Sequence, residues 1–251
     1  MPSSTMYKKG TYRIVSNEPL TPAVYRMVVE GDTQWITRPG QFVNIELDGF
    51  YLRRPISVCD YTENTIVLIY KVVGRGTETM SRMETGRELD ILTGLGNGFD
   101  ADAECLRPLL VGGGVGVPPL FRLAKELIAR GRKVSVVLGF NTASEVFYAD
   151  EFMALGTEVY VTTADGSLGI KGFVTDAVRE KGIEFDYFYA CGPLPMLRAL
   201  SLSCNVPGEL SFEERMGCGF GACMGCSCKT LAGNKRICKD GPVMKREEII
   251  W

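Results

Sequence analysis

The sequence predicts an α/β plus β fold: a small antiparallel β-barrel, then a parallel-sheet nucleotide-binding domain, then a cysteine-rich module. Three observations predict it. Residues 7–95 hold short runs rich in Val, Ile, Tyr and Phe, broken by turn signals such as Pro39-Gly40 and Glu63-Asn64. From Arg107 onward, apolar strands alternate with helical stretches, the pattern of repeated βαβ units. Between Glu213 and Gly241 lie five of the nine cysteines. The expected boundaries are 1–100, 101–210 and 211–251 of the 251 residues, a length that can bury the cores of two domains and a small module.

In the first unit, strands are expected over residues 12–15, 24–29, 41–46, 54–58 and 65–73. Five or six such strands suit a closed barrel. Two stretches inside it stand out. Arg53-Arg54-Pro55-Ile56-Ser57 places an arginine and a hydroxyl on one extended strand, where both reach a phosphate or a flavin edge. Gly74-Arg75-Gly76-Thr77 leads into a helical pattern over 77–83, and glycines before a helix start make a pyrophosphate cradle. Each signal alone is weak, since an Arg-Pro in a strand is usually structural and a Gly-x-Gly-Thr is usually a turn.

In the second unit, a strand over 108–111 runs into Gly112-Gly113-Gly114-Val115-Gly116-Val117-Pro118-Pro119 and a helix over 120–130. A glycine loop at the carboxyl end of a parallel strand is where a dinucleotide pyrophosphate lies. The spacing is not G-x-G-x-x-G, and two prolines sit where the helix opens. Strands follow over 133–138, 158–162 and 186–189, with helices over 151–155, 172–181 and 193–202. Cys191-Gly192-Pro193 turns the last strand into the last helix. Asp165-Gly166 is a third wall of the same crevice or merely a turn.

The third unit reads Cys218-x4-Cys223-x2-Cys226, then a gap of eleven residues, then Cys238. That is the plant-type spacing for a [2Fe–2S] cluster held by four thiolates. Gly217, Gly219, Gly221 and Gly225 let the backbone curl so that N–H groups turn toward negatively charged sulfur. A four-thiolate zinc site usually shows paired C-x2-C knuckles. A disulfide cluster is disfavoured in a reducing compartment. Cys228 is expected to be a bystander.

Composition narrows the chemistry. Lysine and arginine number 28 against 30 acidic residues, a net charge of −2, which gives no reason to expect nucleic acid as a partner. No apolar run is long enough to span a bilayer, and the N-terminal MPSSTMYKKG lacks a signal-peptide core, so neither a membrane nor export is expected. An odd cysteine count clustered at one end points to the reducing cytoplasm. Histidine is absent, which removes Rieske ligation and every mechanism with a histidine base. What remains is redox chemistry carried by cofactors.

Taken in order, Arg54-Pro55-Ile56-Ser57, Gly76-Thr77, Gly112 to Pro119, Cys191-Gly192-Pro193 and the cysteine module resemble the ferredoxin–NADP reductase superfamily, which pairs a flavin-binding barrel with a pyridine-nucleotide domain. The Gly-x-Gly-Val-Pro-Pro loop and Glu-Arg-Met-Gly-Cys-Gly-x-Gly-x-Cys bring the chain nearer to the electron-transfer subunits of NAD-linked dihydroorotate dehydrogenases. The resemblance implies that Arg54, Pro55, Ile56 and Ser57 contact FAD, with Ile69, Tyr70 and Lys71 on the next strand and Gly76 and Thr77 at its pyrophosphate. It implies that Gly112, Gly113, Gly114, Gly116, Pro118, Cys191, Gly192 and Pro193 border NAD(H), and that Cys218, Cys223, Cys226 and Cys238 bind the cluster. Where the superfamily commonly has Arg-x-Tyr-Ser, this chain has Arg-Pro-Ile-Ser, so an aromatic contact is missing unless Tyr70 replaces it. No catalytic residue is assigned, because no dihydroorotate site is visible. The resemblance places that site on an FMN-bearing catalytic partner, in a heterotetramer of two subunits of each kind, and routes electrons through the cluster and FAD to NAD+ in pyrimidine biosynthesis. Two rivals are a flavin and iron–sulfur NAD(P)H reductase subunit for another acceptor, and a redox sensor.

Overall fold

In the computed structural model, residues 7–251 are described; the first six residues of the expected barrel domain and of the N-terminal segment lie outside them. The barrel is built from β1 (Lys8–Pro19), β2 (Val24–Glu30), β3 (Phe42–Ile45), β4 (Arg54–Tyr61), β5 (Thr65–Lys71) and, after helix α1 (Arg75–Ser81), β6 (Glu88–Leu95). The six antiparallel strands close in the order β1-β2-β5-β4-β3-β6. Tyr12, Ile14, Met27, Val29, Val43, Ile45, Ile66, Leu68 and Ile91 point inward and are buried, so the period of two sorts each strand into a wet and a dry face. β6 is the strand that closes the barrel, and no run was assigned to it from sequence. Its eight residues ELDILTGL pair with both β1 and β3, and that pairing between distant segments decides its structure. Helix α1 begins at Arg75, earlier than the expected 77. The Thr77 hydroxyl accepts the Val73 and Gly74 N–H groups at 3.0 and 3.3 Å, closing the turn before it.

The second unit follows as β7 (Pro108–Gly113), α2 (Pro118–Ala129), β8 (Ser135–Phe140), α3 (Ala149–Ala154), β9 (Glu158–Thr163), β10 (Ile170–Lys171), α4 (Val174–Glu180), β11 (Tyr187–Cys191), α5 (Leu194–Ser203) and β12 (Gly208–Ser211). β7 is buried throughout and β8 nearly so, as expected for parallel strands covered on both faces. Pro118 and Pro119 occupy the first two positions of α2, where a missing N–H costs nothing. Gly131, at φ +75°, ends that helix. Its inner face, Leu120, Leu123, Ala124 and Leu127, is fully buried, each leucine contributing about 1.5–3 kcal/mol.

The chain then forms the hairpin β13 (Ser227–Thr230) and β14 (Gly233–Arg236), and returns as β15 (Val243–Lys245). β15 pairs antiparallel with β12, completing a seven-stranded sheet in the order β10-β9-β8-β7-β11-β12-β15. The last 41 residues are therefore not a separate layer.

One seam joins barrel and sheet. Cys59 and Ile69 of the barrel are buried in the same cluster as α2. Above them Asp60 meets Lys125 at 2.8 Å and Arg122 at 3.4 Å, while the Arg122 guanidinium lies 4.1 Å from the centre of the Tyr61 ring. At the other end of the seam, the buried Glu209 carboxylate accepts the Asp100 N–H at 2.9 Å, and Asn97 bonds the main chain of Val243 in both directions at 2.7 and 3.1 Å.

Burial pushes the Glu209 carboxyl above the usual carboxylate range. A raised folded-state value means that its contribution to stability is complete below the ordinary carboxylate pKa and is lost as pH rises through the raised one. Glu209→Gln keeps an oxygen for Asp100 and removes the charge. Its melting temperature relative to the parent protein should climb between pH 4 and pH 7, as measured by scanning calorimetry; a pH-independent difference would contradict this.

Candidate functional site

Three groups of residues carry the candidate chemistry. The first is on the barrel. Arg54 leaves β4 so that its guanidinium lies against Gly76, where a Cβ would come 2.2 Å from Nε, and over the Phe50 ring at 4.8 Å. Arg54 and the first turn of α1 are thus brought together, while Ser57, three positions along β4 and paired with the outward-facing Phe42, alternates to the other face of the strand. Thr77 is not free to act as a side-chain ligand, since its hydroxyl is engaged in its own turn. Tyr70 does not supply the missing aromatic surface. Its ring is buried in the barrel core, stacked on Tyr25 at 5.9 Å, with its hydroxyl donating to Asn17 at 2.9 Å. Ile69 is buried against α2. Of that trio only main chain and Lys71 remain open to a ligand.

The second group is at the carboxyl ends of β7 and β11. Gly114, Val115 and Gly116 form one 3-10 turn, closed by the Val117 N–H on the Gly114 carbonyl at 3.1 Å. A Cβ on Gly113 would meet Met196 Sδ at 2.6 Å, and one on Gly116 would meet the Cys191 carbonyl oxygen at 2.2 Å. Gly116 is required by the approach of Cys191-Gly192, whatever binds there. Gly114 differs: it has φ +51° and nothing within 4 Å of a Cβ, so its outer face is open. With prolines at the first two positions of α2, anion donors there have to come from the glycine turn itself. Burial pushes the Cys191 thiol up to about 12, so at neutral pH it is an uncharged wall.

Beyond this lie the ends of β8 and β9. Asp165 accepts the Ser167 hydroxyl at 2.6 Å and the Ser167 N–H at 2.9 Å, contacts that hold it below the usual carboxylate range. The Ser167 oxygen accepts the Ala143 N–H at 2.7 Å, and Glu145 accepts the Asn141 amide at 2.9 Å. Glu145 was not picked out in the sequence; an isolated acid after a strand carries no spacing signal. A cavity of about 400 Å³ lined by Phe147, Met153, Val161 and Leu168 lies beside β9, away from the glycine loops.

The third group is the cysteine loop. The four cysteines are linked two by two through the main chain, the Cys223 N–H facing the Cys218 sulfur and the Cys238 N–H facing the Cys226 sulfur, each at 3.4 Å. Among the described residues no three potential ligands converge on one point. The two-by-two arrangement suits a pair of irons. Backbone N–H groups face the sulfurs: those of Ala222 and Cys223 on Cys218 at 3.2 and 3.4 Å, that of Gly225 on Cys223 at 3.5 Å, and that of Cys238 on Cys226 at 3.4 Å. Burial alone would raise the Cys218 thiol, yet the N–H groups of Cys223, Phe220 and Ala222 draw it down to about 6, the direction a thiolate ligand needs. Burial pushes Cys238 up to about 12, with Cys226 adding to it, and a bound metal would deprotonate it. Cys226 and Cys238 are buried while Cys223 and Met224 are exposed, which puts one edge of the loop at the surface. Cys228 lies on β13 with its sulfur 4.0 Å from that of Met244, packed against the cluster that holds Cys226 and Cys238.

Residues 213–250 match the iron–sulfur cluster binding domain of dihydroorotate dehydrogenase B, and residues 110–201 match the oxidoreductase NAD-binding domain. The electron transfer subunit of dihydroorotate dehydrogenase B (NAD(+)) from a Geobacillus strain is 44% identical over 98% of this chain and all of its own. That of Fusobacterium nucleatum is 44% identical over 94% of this chain and 96% of its own. The chain belongs to this family of electron transfer subunits. The two matched segments hold the cysteine loop and the glycine turn, two of the three groups. Among solved structures, an NADH-dependent reduced ferredoxin–NADP oxidoreductase studied for flavin-based electron bifurcation superposes with a TM-score of 0.87 at 33% identity, covering 96% of this chain and 90% of that one. The ferredoxin–NADP+ reductase of Neisseria gonorrhoeae shares the fold alone, at TM-score 0.65 and 17% identity over 76% of this chain and 88% of that one. Among the described residues, no helix is long and apolar enough to cross a membrane.

The open face of Gly114 makes it the cleaner probe of the nucleotide crevice. Gly114→Ala should fold, with a stability loss of about 1 kcal/mol for a side chain at positive φ. It should raise the KM for NADH roughly tenfold by crowding the pyrophosphate. Steady-state kinetics with an artificial acceptor would show this, and an unchanged KM would remove the loop from the site. For the cysteines, serine at 218, 223, 226 or 238 should abolish acid-labile sulfide while FAD stays bound. Cys228→Ser should keep iron and sulfide at the parent level. Loss of the cluster from Cys228→Ser and its retention in Cys238→Ser would reverse the assignment.

Proposed function

We propose that this chain takes electrons from an FMN-containing dihydroorotate dehydrogenase catalytic subunit and delivers them to NAD+. The observation that carries this is that the barrel holds both neighbours, with β3 packed on the cysteine loop and β4 and β5 packed on α2 of the nucleotide domain. When bound, FAD couples two-electron exchange with NAD(H) to the one-electron exchange of a [2Fe–2S] cluster.

The chain's residues contribute position and electrostatics. Arg54 supplies a fixed positive fork for a phosphate, and Gly76 leaves room for it. Pro55, Ile56 and Ser57 present an extended edge to the flavin. Gly112, Gly113, Gly114 and Gly116 offer main-chain N–H groups to the dinucleotide, and Pro118, Cys191, Gly192 and Pro193 shape the crevice. Uncharged Cys191 excludes water there without competing for a proton. Asp165 and Glu145, at the ends of β9 and β8, supply acceptors for a ribose with free hydroxyls, which supports NAD+ over its phosphorylated form. Cys218, Cys223, Cys226 and Cys238 hold the cluster, and the exposed Cys223 edge faces the partner. Two of these chains with two catalytic subunits, in the cytoplasm, complete the reading.

The isolated chain is then half of an enzyme. Purified anaerobically with its cofactors, it should oxidise NADH with an artificial dye and show no dihydroorotate oxidation. Adding the FMN-bearing partner should restore dihydroorotate-dependent reduction of NAD+. Dihydroorotate oxidation by this chain alone would overturn the proposal.

A further inference from the structure

We infer that Asn44 is a positioning residue for the cluster, tying the flavin strand of the barrel to the Cys218 loop and thereby setting the reduction potential of the cluster. The inference rests on the functional reading above and adds to it a residue on neither cofactor's expected list.

Asn44 lies in the middle of β3 and is 1% exposed. Its neighbours Val43 and Ile45 turn into the barrel core, so the strand's alternation turns Asn44 and Phe42 outward. Phe42 there packs on Cys226, Ile237 and Cys238. Directly across on β4 stands Pro55, beside Arg54. From this position Asn44 Nδ2 donates to the Cys218 carbonyl at 3.3 Å. The loop can come this close because residue 219 is glycine: at φ +80°, a Cβ there would sit 2.3 Å from Nδ2. The main chain of Asn44 is held in turn by Arg53, whose Nη1 donates to the Asn44 and Asp90 carbonyls at 3.3 and 3.2 Å. A continuous set of contacts thus runs from the Arg53 to Pro55 stretch through one amide to the first cluster ligand.

The other end of the amide shows that stability does not explain the residue. Asn44 Oδ1 is buried and has no donor among the described residues. A buried acceptor without a partner costs about 1–3 kcal/mol, and an apolar residue of the same shape would avoid that cost. What the asparagine supplies and a leucine would not is the donor to Cys218. Fixing the Cys218 carbonyl fixes the turn whose Ala222 and Cys223 N–H groups point at the Cys218 sulfur. N–H groups on sulfur offset the extra negative charge of the reduced cluster and raise its potential. Loosening the turn weakens them.

The test uses the full chain with its cofactors, purified anaerobically, as parent, Asn44→Leu and Asn44→Asp. Iron, sulfide and FAD are measured first, then the cluster is titrated with its reduced-state paramagnetic signal as readout. Asn44→Leu should keep all three components and a melting temperature at or above the parent's, while its cluster potential moves negative. Asn44→Asp should move it further negative, because a carboxylate replaces the donor beside the Cys218 carbonyl. Gly219→Ala disturbs the same contact from the loop side and should shift the potential in the same direction. Asn44→Leu with a full cluster and the parent's potential overturns the inference. So does loss of the cluster from both Asn44 variants combined with a parent-like potential in Gly219→Ala. A parent protein without acid-labile sulfide would instead bring down the functional reading itself.

Discussion

The seam between β4 and α2 is the contact on which the rest depends. Three candidate sites sit on three stretches of chain, and they can form one route only if those stretches keep fixed spacing. Apolar burial of Cys59 and Ile69 against α2 supplies the adhesion. Asp60, Arg122, Lys125 and Tyr61 add direction, since a half-buried charge cluster tolerates only one registration of strand on helix. Interfaces between domains of one chain otherwise permit relative motion by default. Tunnelling falls steeply with distance, so a flexible seam would blur the one quantity that electron transfer requires to be constant.

Close approach of backbones is the second constraint. At the ends of β7 and β11 the glycine turn and the Cys191-Gly192 turn leave no room for a side chain between them. Glycines in such loops are usually read as room for a ligand. Here Gly116 makes room for the protein's own carbonyl, and of the turn's two glycines it is Gly114 that faces open space. The two prolines that follow complete the difference from the common dinucleotide loop, by starting a helix that has no N–H to offer at its first two positions.

Much of this was legible in the sequence, and the reasons for the rest are specific. The barrel strands with strong β-branched content, the βα alternation and the cysteine spacing are local signals, and each had its counterpart in the fold. β6, β12 and β15 were missed because their pairing partners lie far away in the chain, or because three or four residues carry no period. Tyr70 was expected beside the flavin, yet it follows Ile66 and Leu68 on the inward side of the alternation along β5, and that side fills the barrel core. Asn44 was invisible for the strongest reason: its partner Cys218 is 174 residues away, and a lone amide in a strand announces nothing.

The return of β15 to the sheet changes what kind of unit the cysteine segment is. β12 and β15 are adjacent strands, so residues 212–242 form an insertion between neighbours rather than a tail added after the last strand. An insertion of this sort has both ends anchored in one rigid frame, and loss of metal would be felt at the edge of the sheet as well as in the loop. It also dictates how such a module could be transplanted. A graft that cuts only after β12 would strand β15 and leave the sheet edge unpaired, whereas one that enters after Ser211 and leaves before Val243 would carry the redox loop across as a single piece.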